Sequence, residues 1–223
     1  MHIKPLEMAL EHSRQFFREH GLGQWAKALP PSIQLSEESQ AQFGEVEWFD
    51  SALVMPPLSA QMTHADSLIT QLLNTPSDSL SASQQYTTEA WILNPAELTD
   101  AEIRNRPDTP YVLLYRSAPF PEVTLNQTSR AKLDRVFISH QWDSLTFHEY
   151  LVLQRTMAET RGDHSFDDYT TQQLWLLDSR FGDKIFHSHW NAKAGRVEIG
   201  WCKPSKRHGH RGAQPTRVIP IVG

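Results

Sequence analysis

A chain of 223 residues with 39 % hydrophobic, 10 % aromatic and 21 % charged residues has the apolar content to bury roughly 70 % of the surface its unfolded form would expose, which excludes a disordered or fibrous chain and removes any need for a disulfide or metal in folding. The single Cys202 has no partner for an internal disulfide, as expected of a protein in a reducing cytoplasm. No run reaches the roughly 20 apolar residues of a membrane span, and charges interrupt the first apolar stretch where a signal peptide keeps an unbroken apolar core. The net charge of −5 hides an asymmetry: in residues 184–223 eight Lys and Arg stand against Glu198 alone, a charge of +7, which leaves −12 for residues 1–183.

Leu6, Ala9, Leu10, Phe16 and Phe17 recur at helical spacing over Pro5 to His20, and Gly21 suits the left-handed position that ends a helix. Trp25 to Leu29 adds a helical turn before Pro30 and Pro31. The polar stretch from Ser32 to Gln42 and the segment from Val46 to Val54 show no clean period. Thr63 and Asp66 have capping-box spacing, with Leu68, Ile69, Leu72 and Leu73 as the apolar stripe of the helix they would open. Residues 76–85 are Ser-rich, lack the apolar surface to order themselves and read as a mobile loop. Trp91 to Leu93 suits a short buried strand, and Asn94-Pro95-Ala96-Glu97 opens a helix expected to reach about Asn105. Tyr111 to Tyr115 has strand composition. Val136 to Ile138 fits either a strand or the end of a helix through Ala131 and Leu133.

The strongest helical pattern follows. Thr146 and Glu149 form a second capping-box pair, Phe147, Tyr150, Leu151, Leu153, Met157 and Ala158 make a broad apolar stripe, and Gly162 stands where a C-cap belongs. Beyond it, Leu174–Leu177, Ile185–Trp190, Val197–Cys202 and Val218–Val222 read as four strands, the first three joined by short turns. These elements predict an α+β fold in one domain spanning 1–223: a helix-rich N-terminal part, then a mainly antiparallel C-terminal sheet packed on a helix near 146–161.

Two features carry chemistry. Strand alternation puts His187 and His189 on one face, away from Phe186, Ser188 and Trp190, and two imidazoles at that spacing can share a Zn²⁺. A catalytic site needs a third ligand, which His140, His148, His164, Asp178, His208 or His210 would have to supply from elsewhere. His148 and Glu149 do not open a His-Glu-x-x-His motif, because Val152 holds the position of the second His. The other feature is the basic loop after Cys202, in which Lys203, Lys206, Arg207, His208, His210 and Arg211 alternate with Gly and Pro and offer Arg forks and backbone N–H groups to an anion, without the Walker pattern. Cys202 beside Lys203 reads as a small packed residue, and Asp163, Asp167 and Asp168 as a solvated loop after a helix.

Val197, Ile199 and Trp201 are the core face of their strand. The expectation is a cytoplasmic binding or accessory protein, without a cofactor, that meets an anionic macromolecule or acidic protein surface through the basic loop and the histidine strand. The alternative is a Zn-dependent hydrolase built on His187 and His189. A further alternative is a homo-oligomeric structural subunit whose +7 segment meets the acidic part of a second copy.

Overall fold

The computed structural model describes residues 3–44, 49–74, 99–116, 130–161, 173–192, 196–203 and 211–222. In chain order the helices are α1 (Ile3–Glu19), α2 (Gly23–Lys27), α3 (Glu37–Gly44), α4 (Leu58–Thr63), α5 (Ala65–Asn74), α6 (Arg130–Ser139) and α7 (Phe147–Arg161). The strands are β1 (Ser51–Met55), β2 (Glu102–Ile103), β3 (Tyr111–Tyr115), β4 (Asp143–Ser144), β5 (Gln173–Phe181), β6 (Lys184–Asn191), β7 (Arg196–Cys202), β8 (Arg211–Gly212) and β9 (Pro215–Pro220). The fold is α+β, helices first. The Ser-rich stretch, the strand at Trp91 to Leu93 and Gly162 lie outside the described residues. Among the described residues no helix is long and apolar enough to cross a membrane.

The strands form two sheets. One has the order β1-β3-β9-β4, antiparallel throughout; the other has β2-β5-β6-β7, with the short β8 parallel to the start of β5. The last strand therefore does not extend the β5–β7 meander, as its position in the sequence suggests. It pairs with β3, Val112 opposite Ile219 and Leu113 opposite Val218, because β3 is buried at every residue and needs a strand on each side. β1, which has no period of its own, supplies the other side. The free edge of β1 lies against α1, whose Ser13 hydroxyl accepts the Val54 N–H at 2.9 Å.

Local signals explain the helix ends. Gly21 (φ 69°) closes α1 with bonds from the Leu22 N–H to Phe17 O (2.7 Å) and from its own N–H to Arg18 O (3.2 Å), the paired bonds of a Schellman cap. α7 opens on its reciprocal box: the Glu149 N–H donates to Thr146 Oγ1 (3.2 Å) and the Thr146 N–H to Glu149 Oε2 (2.8 Å). The box at Thr63 and Asp66 does not form. Thr63 lies in the last turn of α4, where its hydroxyl donates to Ser59 O at 2.8 Å, while Asp66 accepts from Thr99 Oγ1; the nearby backbone carbonyl has outcompeted the cap. Nor does a helix reach Asn105, since Glu102 and Ile103 pair with Arg180 and Ser179 on the edge of β5. Val136 to Ile138 belong to α6.

α7 is more deeply set than an apolar stripe predicts: every residue from Phe147 to Ala158 is buried, including His148, Glu149, Gln154, Arg155 and Thr156. It has neighbours on all sides. Phe147 packs on Phe186 of β6, His148 on Trp25 of α2, and Glu149 takes a bond from Tyr111 of β3. Glu159, at the other end, accepts from Arg155 Nε (2.7 Å) and meets His20 Nε2 (2.9 Å) of the loop after α1.

Candidate functional site

The register of β6 against β7 sorts the five-stranded sheet into two faces. Phe186 opposite Trp201, Ser188 opposite Ile199 and Trp190 opposite Val197 share one face, whose apolar members pack into the main core. The other face carries Trp175, Leu177, Ile185 and Cys202, which pack with Leu133 and Phe137 of α6. His187 and His189 lie on this second face, opposite Gly200 and Glu198. The alternation expected from the sequence is therefore present, with Val197 and Ile199 in the core and Trp201 half-buried against it.

The two histidines have different surroundings. His189 is buried and its Nε2 stands 3.0 Å from Glu198 Oε2, while Asn191 Nδ2 donates to Glu198 Oε1 at 3.0 Å. His187 is half-buried and lies over the β7 backbone, where a methyl group at Gly200 would stand 2.9 Å from its Cε1; Trp175 meets it edge-on. Glycine at 200 makes room for this ring. Among the described residues no three His, Cys, Asp or Glu side chains lie together as a metal-ligand set. Of the candidate third ligands, His148 is in the core, His140 stacks on Trp142 at 4.4 Å, and Asp178 belongs to an ionic network. His164, His208 and His210 lie outside the described residues.

Lys203 is exposed one residue beyond β7, and Arg211 opens β8. Lys206 and Arg207 lie outside the described residues. Cys202 stands opposite Ile185, whereas Arg211 pairs with Gln173 on the side of β5 away from β6. The chain thus leaves the sheet at one edge and rejoins it across the β5–β6 pair, and the two ends of the basic segment straddle the strand that carries the histidines.

A second polar centre gave no sign in the sequence. The Arg106 guanidinium is wholly buried and grips Glu149 with two bonds, Nε to Oε1 at 2.5 Å and Nη2 to Oε2 at 2.7 Å. It also donates from Nη1 to Asp178 Oδ2 (3.1 Å) and from Nη2 to Ser144 O (2.5 Å). The Tyr111 hydroxyl donates to Glu149 Oε1 at 2.7 Å and accepts from Gln61 Nε2 at 3.0 Å. Burial by itself disfavours the charges, but the mutual attraction outweighs it: Arg106 is held well above the ordinary guanidinium value and Glu149 below the usual carboxylate one. Burial, with the Glu149 charge beside it, pushes the Tyr111 phenol well up.

This network backs a cleft of about 320 Å³ lined by Asp134, Asp143, Asp178, Arg104, Arg180 and Trp142, among others. Burial raises the pKa values of Asp143 and Asp178 despite the Arg106 charge behind them. Asp143 Oδ2 accepts the Val218 N–H at 2.8 Å, and Asp178 is held further by Asn105 Nδ2 at 2.9 Å. At the rim, Gln141 (φ 53°) ends α6 in a Schellman cap, with the Trp142 N–H bonded to Phe137 O at 2.8 Å. Carboxyls set this way can donate a hydrogen bond when protonated or accept a cation when ionised.

Comparison of the chain with family models, with curated proteins and with solved structures finds no match.

Proposed function

We propose that the protein is a binding or accessory protein that meets an anionic partner through the basic segment 203–211 and the histidine face of the five-stranded sheet. One observation carries this reading: the segment that holds six of the chain's cationic or protonatable side chains, Lys203, Lys206, Arg207, His208, His210 and Arg211, begins and ends on either side of the β5–β6 pair. Of the eight cations behind the +7 charge of residues 184–223, all but Arg217 of β9 fall on the strands of this one sheet or in the chain segments between them, in a protein whose remainder carries −12. The chain's single cysteine, Cys202, suits a reducing cytoplasm.

The test is fluorescence anisotropy of labelled polyanions, a single-stranded oligonucleotide and polyglutamate, across a range of NaCl concentrations. Affinity for at least one falls log-linearly with salt, and the double substitution Lys206→Ala, Arg207→Ala flattens the slope by about 1.4 if each side chain meets one phosphate of a single strand. Binding indifferent to both salt and substitution overturns the proposal.

The shared face of His187 and His189 favours a second reading, a metal-dependent hydrolase that takes these two imidazoles as ligands. Metal analysis of untagged protein decides it: stoichiometric metal that is lost in His187→Ala and His189→Ala supports it, and metal-free native protein removes it.

A further inference from the structure

At the β5–β6 turn, the sheet face that elsewhere builds the main core runs out towards solvent. Phe181 and Trp201, the outermost rings on that face, pack against the core while remaining only partly buried. Phe181 pairs with Lys184 and Phe186 with Trp201, so Phe181, Lys184 and Trp201 point the same way. Lys203 follows two residues after Trp201 and is exposed. The Lys184 ammonium lies 3.2 Å from the centroid of the Trp201 ring and 5.8 Å from that of Phe181. The turn above them is Gly182-Asp183, both exposed, and a side chain at Gly182 would meet nothing within 4 Å.

On the anion-binding reading given above, on which it rests, we infer that the partner is single-stranded nucleic acid, with a base stacked at Trp201, the neighbouring phosphates held by Lys184 and Lys203, and the strand turning round the edge strand β7 to the opposite face, where His187 lies over Gly200. Two aromatic rings flanked by cations at the start of a basic segment are the elements such binding uses: every base has a π-face for an indole, and every linkage has a charge for an ammonium. Lys184 needs no new position in the fold to take part. Its long side chain pivots from the indole to a phosphate as a base covers the ring, exchanging one cation contact for a charge-assisted one. A duplex keeps its base faces stacked inside and an acidic protein has none, so neither engages Trp201 in this way.

The experiment compares labelled oligo(dT), an abasic strand of the same length and polyglutamate by anisotropy. Wild-type protein binds oligo(dT) more tightly than the abasic strand. Trp201→Leu, which keeps an apolar residue against the core, weakens oligo(dT) binding roughly 5- to 150-fold and leaves the abasic strand unchanged; Trp201→Phe restores part of the loss, and Lys184→Gln weakens both strands. Equal wild-type affinity for oligo(dT) and the abasic strand overturns the inference while leaving anion binding intact, and that comparison needs no variant to fold. Binding of polyglutamate alone also overturns it. Failure to bind any of the three removes the anion-binding reading with it.

Discussion

His148 offers a sharp test of the packing around α7. Its ring packs against Trp25 and Phe147, is wholly buried, and has no hydrogen-bond partner at either nitrogen among the described residues. Burial, opposed only by the Glu149 charge, pushes its pKa down to about 3. In the unfolded chain the same imidazole titrates near 6.5, so the unfolded state takes up the proton first as the solution is acidified. Stability therefore falls as pH drops below about 6.5 and goes on falling until about 3. At about pH 5 the deficit relative to neutral pH is about 2 kcal/mol, from 1.36 kcal/mol per pH unit over about 1.5 units. His148→Phe retains an aromatic ring beside Trp25 and Phe147 and cannot titrate. Urea denaturation of both proteins at about pH 7.5 and about pH 5 isolates the effect, because the other titrating groups are common to both. The variant loses about 2 kcal/mol less than wild type on acidification. Relieved of two unpaired ring nitrogens, it is also more stable at neutral pH, by about 1 kcal/mol or more. Parallel pH dependence in the two proteins would refute the assignment of His148 as a buried neutral residue.

Three further substitutions probe other parts of the fold. Arg106→Met leaves Glu149 and Asp178 buried without their cation and costs about 3–5 kcal/mol in chemical denaturation; a loss under about 1 kcal/mol would mean that water reaches the site. Gln141→Gly removes the side chain from a left-handed C-cap and raises stability by about 0.5–1 kcal/mol, measured as a shift in denaturation midpoint at constant slope. Gly200→Ala drives a methyl into the His187 ring and destabilises by about 1–3 kcal/mol, and His187→Ala in the same chain restores part of the loss; an unaffected stability would show that the ring moves freely off the β7 backbone.

Much of this arrangement was legible where its causes are local. The Thr146–Glu149 box and the Gly21 cap depend on residues a few positions apart, and both form as their spacing predicts. The histidine face follows from strand alternation alone, and the register confirms it. Thr63 shows the limit of even local reading, since a carbonyl four residues back competes for the same hydroxyl. The Arg106 network was illegible for a different reason. Its members stand 43 and 72 residues from Arg106, no periodicity links them, and the spacing of Glu149 from Thr146 explains it as a helix cap. The partner of β9 was hidden likewise: Val218-Ile219 announces a strand but says nothing of which sheet receives it. In α7 polar residues alternate with the apolar stripe, and only the surrounding elements reveal that they too are buried.

That the histidine strand and the basic segment act as one binding surface is tested most directly by the imidazole resonances of the protein during titration with oligo(dT). His187 and His189 signals shift along the same binding curve that anisotropy reports, and that curve moves to higher oligonucleotide concentration in the Lys206→Ala, Arg207→Ala protein, whereas the His148 signal in the core stays in place. Saturation of the oligonucleotide with His187 and His189 unmoved would contradict the account.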